Sequence, residues 1–70
     1  MREVYINTET INLDQFLKWT GMVSTGGEAK LAILQGSVKV NGDIETRRSR
    51  KLKVNDVVEF EGNSLIVARR

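Results

Sequence analysis

The chain has 70 residues, with 11 Lys and Arg against 9 Asp and Glu for a formal charge of +2, and residues 1–70 read as one domain with a small core. It contains no Cys, His or Pro, which excludes disulfides, thiolate metal sites, imidazole catalysis and proline-rich ligands. Apolar residues make up 40% of the chain, a globular balance, but no apolar run approaches a membrane span and the N-terminus does not resemble a signal peptide, so a cytoplasmic protein without membrane contact is expected.

Residues 2–7 alternate Val4 and Ile6 around Tyr5 and read as a strand, with a polar turn over residues 8–10. Asn12 reads as an N-cap whose side chain accepts the Gln15 amide. The helix it opens covers residues 13–20, with Leu13, Phe16, Leu17 and Thr20 on one stripe and Gly21 as its stop. Thr25 and Glu28 form a capping box that begins a second helix, ended by Gly36. Its apolar residues Ala29, Leu31, Ile33 and Leu34 fall on several sides, which predicts a helix sandwiched between other elements. Residues 38–44 alternate around Asn41-Gly42, a pair suited to the positive φ of a type I′ hairpin turn. A turn at residues 54–56, a strand with Val58 and Phe60 on one face, a reversal at Gly62-Asn63 and a strand over residues 65–68 complete the chain. The order is strand, two helices, four short strands. It predicts an α+β fold with two helices packed on a small, curved, mostly antiparallel sheet.

Five cations fall in residues 47–53, namely Arg47, Arg48, Arg50, Lys51 and Lys53, with no acid among them. The rest of the chain holds six basic residues against nine acidic, so the positive charge is local. Such a run neutralises phosphates or merely solvates a loop, and by itself it weighs evenly between the two. A second anion-binding feature is the start of helix two, where Thr25, Gly26 and Gly27 leave amides uncovered at the positive end of the dipole, with Lys30 one turn on. Glu28 caps the same turn and opposes an incoming anion, which favours a purely structural corner. Trp19, at the margin of the apolar stripe, reads as an edge-of-core residue before a base-stacking one, and Lys18, four residues after Asp14, pairs with it as readily as with a phosphate. No nucleophile–base pair, metal-ligand spacing or complete P-loop is present, so no enzyme, no cofactor and no small-molecule substrate are expected.

Taken together, Leu13-Asp14-Gln15-Phe16-Leu17, Gly21, residues 25–33 with Ala29-Lys30, Gly36-Ser37-Val38-Lys39-Val40-Asn41-Gly42, Lys51-Leu52 and Asn55-Asp56-Val57-Val58 resemble the alpha-L RNA-binding motif. That is the domain of ribosomal protein S-four type, and Thr25-Gly26-Gly27-Glu28-Ala29-Lys30 with Glu45-Thr46-Arg47-Arg48 is similar to its small stand-alone bacterial members. The resemblance spans residues 12–67 and implies a non-catalytic protein that binds structured or ribosomal RNA. It implies contacts from Thr25, Gly26 and Lys30 on helix two and from Lys39 and Asn41 on the hairpin, extended by the 47–53 loop. Asn12 stands where the family often has arginine, and Thr25-Gly26 where it often has Ser-Arg, which moves weight onto backbone amides and the basic loop. Two other readings compete: a ribosome-assembly factor that binds proteins through a patch around Trp19, Met22 and Leu34, and a DNA-binding module.

Overall fold

The computed structural model describes residues 1–70. Val4 and Ile6 point inward from β1 (Arg2–Ile6), which lies parallel to β7 (Asn63–Arg69) with Val4 opposite Val67. A short β2 (Thr10–Asn12) leads directly into α1 (Leu13–Trp19), and α2 (Gly26–Leu34) follows. β3 (Val38–Val40) and β4 (Asp43–Ile44) form the expected hairpin, with Asn41 at φ 52° and Gly42 at φ 89° in its turn. β5 (Lys51–Lys53), β6 (Val57–Phe60) and β7 complete the chain.

Five strands make one sheet in the order β1-β7-β6-β3-β4, antiparallel except for β1–β7, while β2 and β5 pair as a separate antiparallel ribbon. Leu13, Phe16 and Leu17 of α1 and Ala29 and Ile33 of α2 bury one stripe each. They join Val38, Val40, Val58, Leu65 and Val67 of the sheet in a single apolar cluster, to which β5 adds Leu52. The two-helix, mostly antiparallel architecture is the one the sequence predicts. No helix is long and apolar enough to cross a membrane.

Three local expectations are corrected. Thr10 opens a strand over residues 10–12 and does not end a turn, because β5 supplies a hydrogen-bonding partner from far along the chain, Thr10 facing Lys53. Asn12 occupies the N-cap position of α1 but its side chain makes no capping bond; the Gln15 amide goes to Asp14 Oδ1 at 2.8 Å instead. Helix two is not sandwiched: Leu31 and Leu34 are each 57% exposed, because only the Ala29–Ile33 stripe packs into the core. The Thr25 cap of α2 is as expected, its Oγ1 accepting the Glu28 amide at 3.1 Å.

Candidate nucleic-acid interface

The basic run is organised by an acid that precedes it. Glu45 is buried, and its carboxylate accepts Arg47 N, Nε and Nη2 at 3.2, 3.1 and 3.3 Å and Arg50 Nη1 at 2.7 Å. Hydrogen bonds from Arg47 first, then Arg50, hold its pKa down at about 2 although burial pushes the other way. The Arg50 amide closes a turn onto the Arg47 carbonyl at 3.2 Å. The loop then presents its own carbonyls to the start of α1: Arg50 O accepts the Leu13 amide at 2.8 Å and Arg48 O the Asp14 amide at 3.2 Å. These two bonds satisfy the first two amides of α1, whose N-cap side chain makes no capping bond.

Beyond the loop, β5 pairs with β2 so that Lys51 faces Asn12, Leu52 faces Ile11 and Lys53 faces Thr10. Leu52 enters the core, which turns Lys51 and Lys53 outward together on the opposite face of the ribbon. Arg48, Lys51 and Lys53 are exposed and make no ion pair, whereas Arg47 and Arg50 are tied to Glu45. Alongside lies a solvent-open cleft of about 510 Å³, between α1 and the segment leading into β2. Lys18 and Trp19 form its helical wall and Thr10, which faces Lys53 across the ribbon, forms its rim; Lys18 is exposed and is not paired with Asp14. Trp19 is 53% exposed, further out than an edge-of-core residue, and its Nε1 donates to the Tyr5 carbonyl at 2.8 Å.

Of the other residues singled out from sequence, those at the start of α2 share no contact with the loop, whereas Asn41 is tied to it through Asp56, whose Oδ2 accepts the Lys53 amide at 2.9 Å. The loop docks on the first turn of α1, whereas α2 begins beyond the far end of that helix, and no hydrogen bond, ion pair or shared cleft joins residues 25–30 to residues 47–53. Thr25, Gly26, Gly27 and Lys30 are exposed. Lys39 is exposed on β3, opposite Glu59 of β6. Asn41 uses both ends of its side chain internally, Nδ2 donating to buried Asp56 at 3.1 Å and Oδ1 accepting the Val57 amide at 2.9 Å. Of the patch weighed for a protein partner, Trp19 and Met22 line different clefts and Leu34, exposed on α2, lines neither. The Glu45 anchor escapes sequence reasoning because a lone acid beside arginines looks like any surface charge. Its signal is its place at the hairpin exit, where its amide is drawn to Val38 O at 3.0 Å.

Comparison with known proteins agrees with this architecture. The profile of the S4 domain matches residues 4–68. The chain is 48% identical over 59 residues to a Bacillus subtilis (strain 168) protein named "Probable ribosome maturation protein RlbA", covering 84% of this chain and 83% of that one. It is 40% identical over 57 residues to the Escherichia coli (strain K12) "Putative RNA-binding protein YbcJ", with 81% of each chain covered. The solution structure of E. coli YbcJ, described as revealing an alpha-L motif involved in RNA binding, superposes with a TM-score of 0.65 at 34% identity, over 96% of this chain and 84% of that one. The Thermoplasma acidophilum 30S ribosomal protein S4e shares the fold with a TM-score of 0.62 at 22% identity, over 83% of this chain and 31% of its own.

Proposed function

Because the chain belongs to the S4 domain family, we propose that it is a non-catalytic RNA-binding module of the bacterial cytoplasm, acting on structured ribosomal RNA during ribosome maturation. The observation that carries this reading is a set of exposed, unpaired cations on and beside the β2–β5 ribbon: Arg48 on the loop, Lys51 and Lys53 together on one side of β5, and Lys18 on the wall of the adjoining cleft, in a chain that is otherwise net acidic. These four are the phosphate-contacting set. Arg47 and Arg50 hold the loop in shape through Glu45, which offsets one of their two charges, so together they lend the face a weaker charge. Thr25, Gly26, Gly27 and Lys30 form a second, separate contact point at the start of α2, and Lys39 and Asn41 contribute least, since Lys39 faces an acid and the Asn41 amide is engaged. The names of the relatives support the RNA and the ribosomal parts of the reading.

The deciding experiment is a fluorescence-anisotropy titration of structured ribosomal RNA fragments at two salt concentrations, with a matched DNA hairpin as competitor. Salt-sensitive binding that resists the DNA is expected, since only RNA offers the 2′-hydroxyl and A-form shape. No binding at low salt would move the function to a protein partner; equal competition by DNA would make the module a general nucleic-acid binder.

A further inference from the structure

The surface has one cleft that combines a cation, an exposed aromatic ring and no acid: the one between α1 and the segment leading into β2. The cleft around Met22 and Phe60 carries Glu28 and Glu61, the one at the β6–β7 turn carries Glu59 and Glu61, and the one beside Met1 has no aromatic ring. We infer that the α1–β2 cleft accepts one unpaired nucleobase of the bound RNA, stacked on the Trp19 indole; this rests on the RNA-binding reading above and deepens it.

Four observations support the assignment. First, the indole is half-exposed yet fixed, because its Nε1 is held by the Tyr5 carbonyl at 2.8 Å, so its face is presented without further ordering. Second, the rim is built from Asn7, Thr8, Thr10 and Gln15, and the side-chain amides of Asn7 and Gln15 make no bond within the protein. Each amide offers a donor and an acceptor, the pattern a Watson–Crick edge requires. Third, the volume of about 510 Å³ falls within the roughly 300–1,000 Å³ of small-ligand sites. Fourth, Thr10 on the rim is directly opposite Lys53 and shares its outward face, so a backbone running along Lys51 and Lys53 passes the mouth of the cleft. The nearest acid of the connecting segment, Glu9, is drawn towards Arg69 at 3.9 Å and does not line the cleft.

Trp19 is the only tryptophan, so its emission reports on this cleft alone. The test compares a short RNA hairpin carrying one bulged adenine with the same hairpin fully paired, following anisotropy and Trp19 fluorescence with the intact chain. The expected result is tighter binding of the bulged RNA with quenching of Trp19. Trp19→Ala should weaken the bulged RNA by about 5- to 150-fold, the measured span for one stacked base, and bring the two hairpins level. Gln15→Ala, on an exposed position that leaves the core intact, should reduce the preference for the bulge without altering binding of the paired RNA. Equal affinity for the two hairpins with unchanged Trp19 emission would overturn the base-binding cleft while leaving RNA binding in place. Absence of salt-sensitive binding to either RNA would overturn both.

Discussion

Glu45 brings one acid into the most basic stretch of the chain, and its two arginine partners are both within five residues of it. Its depressed pKa makes the ionised form part of the fold. An unfolded Glu45 takes up a proton near the ordinary 4.5, whereas the folded one resists until about 2. The stabilisation is therefore complete above pH 4.5, declines as the pH falls, and is gone once the pH is below about 2. Glu45→Gln should lower stability at pH 7 by about 1–2 kcal/mol through weakened charged hydrogen bonds. In urea unfolding the gap to the unmodified protein should narrow steadily between pH 4.5 and pH 2; a gap that stays constant would mean that charge is not what Glu45 supplies. Asn41 gives a second residue-scale case, since it combines a φ of 52° with two side-chain bonds. Asn41→Gly, which accepts that φ, should cost about 1 kcal/mol for the lost bonds. Asn41→Ala should cost roughly 1–2 kcal/mol more for the left-handed backbone, a difference that thermal unfolding resolves. The Asn-Gly pair was legible as a turn because φ preference is local. Its bond to Asp56, 15 residues on, left no trace in the local pattern.

At the scale of elements, what could be read divides by how much apolar pattern each segment holds. The two helices, the β3–β4 hairpin and the β6 and β7 strands carry two or more buried positions apiece or a turn with its own chemistry, and all follow from spacing. β2 and β5 have three residues each, with Ile11 and Leu52 as their single inward side chains, and one apolar residue defines no period. Leu52 is nevertheless what converts a solvated basic run into an ordered face, because it is the fully buried anchor between Lys51 and Lys53. Leu52→Ala should destabilise the domain by about 2–4 kcal/mol. It should also raise hydrogen exchange at the Leu13 and Asp14 amides, which the loop carbonyls cap. Leu31→Ala and Leu34→Ala, on the uncovered side of α2, should stay within about 0.5 kcal/mol of the unmodified protein. The reversed ranking would mean that α2 is covered on that side in solution and that β5 is not anchored.

For the whole molecule, the sequence places five cations in one run, and the fold decides which of them remain available. In the proposed reading the five do not count alike, because the Glu45 carboxylate engages both Arg47 and Arg50 at short range and offsets one of their two charges. The proposed set takes in Lys18 as well, distant in sequence but lining the cleft whose rim is Thr10, the partner of Lys53. A set of four contacts gives a slope of log K against log salt of roughly −3. Lys51→Ala and Lys53→Ala should each make that slope shallower by about 1, and affinity should fall for every RNA sequence alike, since phosphate contacts carry no base information. Arg47→Ala separates the two accounts most sharply. Its side chain lies largely in solvent and Glu45 keeps Arg50 as a partner, so the fold should survive the change. If Arg47 serves the loop and not the phosphates, the salt slope stays near that of the unmodified protein. If the slope drops by the same unit as for Lys53→Ala, Arg47 leaves Glu45 on binding, and the face that contacts RNA is built from the arginines after all.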